Sequence, residues 1–183
     1  MAASEVMGSN ICRNRNSLVE TAVNEAKAKW LMFIDNDMMF EKDAVSRLIA
    51  RDVWISSGLC VGKKPPHGPS ASMWNSETKY YETVWYYKHD GRLMPVDAVG
   101  TGFMLIKTCI FKELSKPYFA MPPLGERVNG EDYYFCEQAR MLGILAHVDG
   151  SLQIGHLGFK EGEKTLYPYT YADTLEYRDK KIN

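Results

Sequence analysis

The hydrophobic pattern of this chain centres on a short apolar run that ends in carboxylates. Residues 30–34 are continuously apolar, and Asp35 and Asp37 follow directly. A run this short, preceded by a charged helical segment, predicts a strand buried on both faces, as in a parallel sheet covered by helices. The aspartates would then lie at the carboxyl end of the strand, which is where open α/β sheets bind their ligands.

Helical and extended patterns alternate on both sides of this strand. Ser17 and Glu20 form a capping box that predicts a helix to about Lys29, and a second helix is expected from Glu41. Residues 53–61 are predicted to form another strand. This order predicts an α/β, Rossmann-like fold, with a mostly parallel central sheet and helices on both faces.

Residues 73–99 have a different pattern, rich in aromatic side chains. The aromatic residues precede an Asp90-Gly91 turn, and residues 93–99 are extended again, which predicts an antiparallel aromatic hairpin inserted into the core. Aromatic faces stack on sugar rings, and Trp85 is the candidate for such a contact. Half-buried sheet packing is the alternative explanation for most of these aromatics.

Three polar motifs follow the hairpin. Gly100 and Gly102 lie at the start of a predicted strand, where glycine often marks the close approach of a ligand or another backbone. Glu131 and Asp132 begin a predicted helix, where they either complement the helix dipole or carry chemistry. His156 lies between glycines in a predicted loop, and a lone histidine is more often packed or solvated than a ligand.

A cluster of arginine and asparagine residues lies just before the first predicted helix. Backbone N–H groups at a helix N-terminus favour anions, so Arg13 and Asn14 are candidates for contact with a phosphate or a nucleotide base. A solvated polar loop is the alternative. At the other end of the chain, residues 159–183 form a charged, Tyr-rich tail that either folds back over the site or extends away from it.

Composition narrows the class of protein. A chain of 183 residues fits one domain, assigned to residues 1–158, and the net charge of −1 argues against a nucleic-acid binder. Four scattered cysteines without a C-x-x-C pair indicate core residues of a reducing compartment. Neither a signal peptide nor a transmembrane run is recognisable, so we expect a cytoplasmic protein.

The spacing of Asp35 and Asp37 indicates a metal. Residues two apart on a strand point the same way, so the two carboxylates would repel each other unless a cation lay between them. Mg²⁺ and Mn²⁺ take oxygen ligands of this kind. The triplet is short enough to occur by chance, and a solvated loop is the alternative.

In combination, the motifs resemble those of a known family. Phe33-Ile34-Asp35-Asn36-Asp37-Met38, Gly102-Phe103-Met104-Leu105-Ile106, Gly130-Glu131-Asp132 and Gly155-His156-Leu157-Gly158 resemble nucleotide-sugar glycosyltransferases of the GT-A fold, inverting type and family 2-like. The resemblance covers about residues 13–158.

The resemblance implies a metal-bound donor. Asp37 and His156 would bind Mn²⁺ or Mg²⁺, and Asp35 would reach the ribose or a metal-bound water. Arg13 and Asn14 would contact the nucleotide of a UDP- or GDP-linked sugar.

The resemblance also implies how the sugar is transferred. Asp132 would be the general base that takes a proton from the hydroxyl of a saccharide or other acceptor, and Glu131 would orient that acceptor. Gly100 and Gly102 would let the backbone approach the donor sugar.

One departure from the family lies at the N-terminus, where only about thirty residues precede the Asp-x-Asp strand. The base pocket would therefore be abbreviated, completed by a partner chain or a second copy, or located outside this sequence. Two other interpretations remain open: a sugar nucleotidyltransferase, and a non-catalytic module that binds sugar or nucleotide.

Overall fold

The computed structural model describes residues 10–85, 91–122, 130–160, 162 and 165–182. The α-helices in these ranges are α1 (Ile11–Glu20), α2 (Ala44–Arg51), α3 (Glu131–Met141) and α4 (Tyr171–Ile182). A π-helical turn (Thr21–Glu25) continues α1, and a 3-10 turn occupies Thr108–Lys112. No helix among the described residues is long and apolar enough to cross a membrane.

The strands form one central sheet and two smaller ones. They are β1 (Trp30–Ile34), β2 (Met38–Met39), β3 (Ile55–Leu59), β4 (Ala71–Asn75), β5 (Tyr80–Thr83), β6 (Leu93–Val96), β7 (Ala98–Val99), β8 (Phe103–Lys107), β9 (Ala146–Gln153), β10 (Gly155–Phe159) and β11 (Leu166–Tyr169). The central sheet has the order β1-β8-β3-β9-β6, and the smaller sheets have the orders β11-β10-β2 and β5-β4-β7.

The central sheet is mixed, so the prediction of a mostly parallel sheet is wrong. Among the described strands of this sheet, β3 and β9 are the parallel pair, with Ile55 opposite Ala146. The pairs β1-β8, β8-β3 and β9-β6 are antiparallel. The reason is that β8 inserts between β1 and β3, which the alternation of helices and strands along the chain does not reveal.

Helices cover both faces of this sheet, as predicted. Along β8, Met104 and Ile106 join the core formed with α1 and α3, whereas Phe103 and Leu105 join the core formed with α2. This alternation is the two-residue period of a strand. Strand β3 is buried at every position, but β1 is only partly buried, contrary to the prediction, because it lies at the edge of the sheet.

Helix α1 begins earlier than the capping-box pattern predicted. The side chain of Asn10 accepts a hydrogen bond from the backbone N–H of Arg13 at 2.9 Å and caps the helix. Ser17 therefore lies inside α1. Arg13 and Asn14 also lie inside the helix, so the prediction that they precede it is wrong.

His156 lies in a strand, so its predicted placement in a loop is wrong. It belongs to β10 and is paired with Met38 of β2 on one side and Tyr169 of β11 on the other. The neighbouring strands approach closely where glycine occurs, since a Cβ on Gly155 would lie 3.1 Å from Cβ of Pro168. The glycines that indicated a loop instead permit a tightly packed strand.

The segment predicted as a tail folds against the rest of the chain. Strand β11 pairs with β10, and the Thr174 side chain of α4 is buried and donates to the carbonyl of His67 at 2.5 Å. The tail therefore does not extend away from the fold.

The antiparallel hairpin is present, with a different turn. Strands β4 and β5 pair antiparallel and connect through residues 76–79. The predicted turn includes Asp90, which lies outside the described residues. Strand β6 returns to the central sheet beside β9.

Candidate active site

A cavity of about 250 Å³ lies where the ends of β1, the start of β8, the start of α3 and strand β10 meet. It is lined by Ile11, Arg15, Asp35, Met38, Cys60, Ser70, Gly100, Thr101, Gly102, Glu131, Asp132 and His156. The sequence had singled out half of these residues. They extend from Asp35 to His156 in the sequence, so the fold brings distant motifs to one place.

The two glycines before β8 bring the backbone up to the cavity. The N–H of Asp35 donates to the carbonyl of Gly102 at 2.9 Å, which ties the end of β1 to this turn. A Cβ on Gly102 would lie 2.5 Å from Cε of Met38, and one on Gly100 would lie 3.3 Å from Cβ of Ser70, which also lines the cavity. A side chain at either position would crowd the groups that line the cavity.

Arg15 is a residue of this site that the sequence did not identify. Its side chain is 7% exposed and forms an ion pair with Glu131, while its Nη2 lies 3.5 Å from Oδ1 of Asp35. One guanidinium thus partly neutralises two carboxylates of the cavity. Once α1 begins at Ile11, Arg15 falls four residues from both Ile11 and buried Val19, on the inward face of the helix, and this was the available signal.

Asp132 is a carboxyl group of the cavity with a raised pKa. Burial, with a further contribution from Glu131, raises the pKa of its carboxyl to about 6, and the backbone N–H of Tyr133 opposes this rise. That N–H donates to Oδ1 of Asp132 at 2.8 Å, which fixes the side chain. The carboxylate is therefore ionised above about pH 6 and basic enough to accept a proton from a hydroxyl in the cavity.

Asp37 and His156 come together beside this cavity. Nδ1 of His156 lies 2.9 Å from the carbonyl of Val61, and because a carbonyl can only accept, Nδ1 carries a proton and donates it. Nε2 then faces Oδ2 of Asp37 at 3.3 Å, and Nζ of Lys63 lies 2.6 Å from the same oxygen. Burial alone would raise the pKa of Asp37, but Lys63 and His156 outweigh it and hold that pKa below its usual value.

These donors match part of a divalent metal site. Two ligand atoms bound to one such cation lie about 3 Å apart, close to the spacing of Nε2 of His156 and Oδ2 of Asp37. Asp35, the third predicted ligand, pairs with Arg15 instead. The described residues contain no group of three or more Asp, Glu, His or Cys side chains placed to hold a metal, so water or a ligand would have to supply the remaining coordination.

The other predicted contacts lie away from the cavity lining. Arg13 is exposed in the first turn of α1, and Asn14 follows it. The ring of Trp85 packs on Gly68, and its carbonyl accepts a hydrogen bond from the hydroxyl of Tyr171 at 2.5 Å. Their roles in nucleotide or sugar binding stay predictions.

Thr101, between the two glycines, is a second lining residue that the sequence did not single out as a candidate. It is 1% exposed, and its Oγ1 has no hydrogen-bond partner in the part of the chain that is described. An unsatisfied hydroxyl of this kind is uncommon in a protein interior. Only the tertiary structure reveals it, because threonine in a turn is unremarkable in the sequence.

Comparison with solved structures identifies the fold. A197 from STIV is similar with a TM-score of 0.58 and 16% identity, over 88% of this chain and 76% of that chain. GalNAc-T7, solved with UDP, GalNAc and Mn²⁺, is similar with a TM-score of 0.56 and 15% identity, over 93% of this chain and 34% of that chain. The chain thus has a glycosyltransferase-like fold and spans about a third of GalNAc-T7. No protein-family model and no curated protein sequence matches it.

Proposed function

We propose that this protein is a metal-dependent glycosyltransferase that moves a sugar from a nucleotide-diphosphate-sugar donor to an acceptor hydroxyl. The observation that carries the proposal is the placement of Asp132, a fixed carboxylate with a raised pKa, in one cavity with Asp35 and His156. The glycosyltransferase-like fold supports it, as does the fact that GalNAc-T7, a neighbour of this fold, was solved with UDP, GalNAc and Mn²⁺.

Asp132 would act on the acceptor. As the acceptor oxygen bonds to the anomeric carbon, its proton passes to the carboxylate of Asp132, and the bond from that carbon to the diphosphate oxygen breaks. Attack from the face opposite the diphosphate gives inversion. Glu131 is held by Arg15 and cannot swing freely, which suits a residue that orients the acceptor or the adjacent backbone.

Asp35 and the glycines would hold the donor. The carboxylate of Asp35 is 47% exposed and reaches the cavity, so it can accept hydrogen bonds from ribose hydroxyls. Asp37 and His156 would hold Mn²⁺ or Mg²⁺, which would offset the charge of the departing diphosphate. Arg13 and Asn14 lie on the same helix as two lining residues, Ile11 and Arg15, and remain our candidates for base contact.

Calorimetric titration of UDP and of GDP, each with and without Mn²⁺, tests the proposal. We expect one diphosphate to bind only when Mn²⁺ is present, and we expect Asp37→Ala to abolish this binding. Asp43→Ala is the matched control, because Asp43 is exposed at the start of α2 and its side chain makes no capping hydrogen bond.

Two outcomes would contradict the proposal. Absence of binding by either diphosphate would favour a non-catalytic module or a base pocket completed by another chain. Binding that ignores Mn²⁺ and survives Asp37→Ala would remove the metal from the proposal.

A further inference from the structure

We infer that Lys63 is a built-in competitor of the divalent metal at Asp37, an ammonium group that must leave the carboxylate before a metal ion can bind there. The inference rests on the proposed function, since it concerns the metal that this function uses. Lys63 would then set the concentration of divalent metal that is needed to fill the site.

Competition follows from the use of one oxygen. Nζ of Lys63 lies 2.6 Å from Oδ2 of Asp37, the same atom that faces Nε2 of His156 at 3.3 Å. A divalent ion bonded to that oxygen would lie about 2.1 Å from it, within a few ångströms of the ammonium. Two cations at that distance repel each other strongly, so metal and ammonium exclude one another.

The position of Lys63 depends on the strand that carries His156. Gly158 lies two residues after His156 in β10, and a Cβ there would lie 2.8 Å from Cδ and 3.2 Å from Cγ of Lys63. The aliphatic part of the lysine thus crosses β10 in space that glycine leaves open. Gly158 therefore belongs to the arrangement that directs the ammonium to Asp37.

A second cavity next to Lys63 can accept its ammonium group when it leaves Asp37. Lys63 also lines a second cavity of about 400 Å³, together with Lys64, Lys160 and Asp173 among others. The Lys63 side chain is 39% exposed, so a rotation away from Asp37 leaves its charge in contact with water. Exchange between the two positions therefore requires no burial of an unpaired charge.

Mn²⁺ affinity, measured from the electron paramagnetic resonance signal of free Mn²⁺ without nucleotide, tests the inference. We expect Lys63→Met to bind Mn²⁺ about fivefold more tightly than the wild type, as for loss of a partly exposed ion pair of about 1 kcal/mol. Lys64→Met is the matched control, because it removes the same charge one residue away. Its affinity should change less than about twofold, since Lys64 forms no ion pair with the described carboxylates.

The outcomes separate this inference from the proposed function. Unchanged Mn²⁺ affinity in Lys63→Met, equal tightening in Lys64→Met, or no Mn²⁺ binding by any variant would overturn the competition. If UDP and GDP fail to bind with Mn²⁺ while Lys63→Met still tightens Mn²⁺, the competition stands and the proposed function fails. Lys63→Gln should reproduce the effect of Lys63→Met, which guards against a packing change peculiar to methionine.

Discussion

Arg15 and Glu131 form an ion pair that is buried from solvent and joins α1 to the first turn of α3. The two side chains are 7% and 11% exposed, and the residues are 116 positions apart in the sequence. The pair forms part of the lining of the candidate site, where Glu131 precedes Asp132 and Arg15 also approaches Asp35. The stability of the fold and the charge balance of the cavity thus depend on the same guanidinium.

Replacing Arg15 should destabilise the protein strongly. Arg15→Met leaves the buried carboxylate of Glu131 without its partner, and breaking a buried pair in this way costs about 3 kcal/mol or more. Urea denaturation should show a lower midpoint with an unchanged slope. Arg13→Met is the control, because it changes an exposed residue of the same helix, and it should alter the free energy of unfolding by less than about 0.5 kcal/mol. Equal losses of stability in the two variants would show that the buried ion pair is not the cause.

Asp132→Asn should separate donor binding from turnover. Asparagine keeps the shape of the side chain and can accept the hydrogen bond from the backbone N–H of Tyr133. It cannot take a proton from the acceptor hydroxyl. We therefore expect turnover to fall by roughly 10²-fold or more, with donor affinity retained. In the wild type, with a pKa of about 6, kcat/KM should fall with decreasing pH below that value. Steady-state rates across pH, with the donor class found by titration, test both effects, and near-normal turnover would remove Asp132 from the role of base.

The raised pKa of Asp132 also predicts how stability depends on pH. An unfolded aspartate titrates near pH 3.9, whereas this one titrates at about 6 when folded. Between these values the native state binds more protons, so the contribution of Asp132 to the free energy of unfolding falls as pH rises, and the total loss reaches about 3 kcal/mol above pH 6.

Asp132→Asn removes this dependence. We expect the variant to be more stable than the wild type at pH 7.5 by about 3 kcal/mol, with the difference shrinking to about 1 kcal/mol at pH 4.5. Urea denaturation at the two pH values measures it. A stability difference that does not change with pH would show that the folded carboxyl titrates normally.

Gly130 should tolerate no side chain. Its φ is +107°, and a Cβ there would lie 2.8 Å from Oδ1 of Asp132. We expect Gly130→Ala to lower the free energy of unfolding by about 2 kcal/mol from backbone strain and to reduce turnover by displacing Asp132.

Gly143 provides the control at the other end of α3. Its φ is +77°, and a Cβ would meet nothing within 4 Å. Gly143→Ala should therefore cost about 1 kcal/mol of stability and leave turnover unchanged. If both variants lose turnover equally, the contact with Asp132 is not the cause.

Local signals were sufficient to predict several elements. The inward face of α2, with Ala44 and Leu48 buried, follows from its helical period. Helix α3 begins at Glu131, inside the Gly130-Glu131-Asp132 motif. Asp35 was expected directly after the first strand, and β1 does end at Ile34. These features depend on neighbours a few residues away, which the sequence displays.

Features that depend on distant partners could not be predicted in this way. Strand β8 inserts between β1 and β3 because of side-chain packing across the whole sheet, and no local pattern encodes that order. The contact of Lys63 with Asp37 joins residues 26 positions apart, with α2 and β3 between them in the chain. Arg15 was missed for a different reason, since an error in the start of α1 concealed which face it occupies.

The parallel pairing of β3 and β9 has a consequence for how the chain matures. Ile55 pairs with Ala146, roughly ninety residues later, so the centre of the sheet closes only after Ala146 has been synthesised. Contacts between residues so far apart in the sequence raise the contact order, and a higher contact order is associated with slower folding. During translation, Asp35 and Asp37 would emerge long before His156, so the residues that we propose to hold a ligand could come together only after β10 has been made.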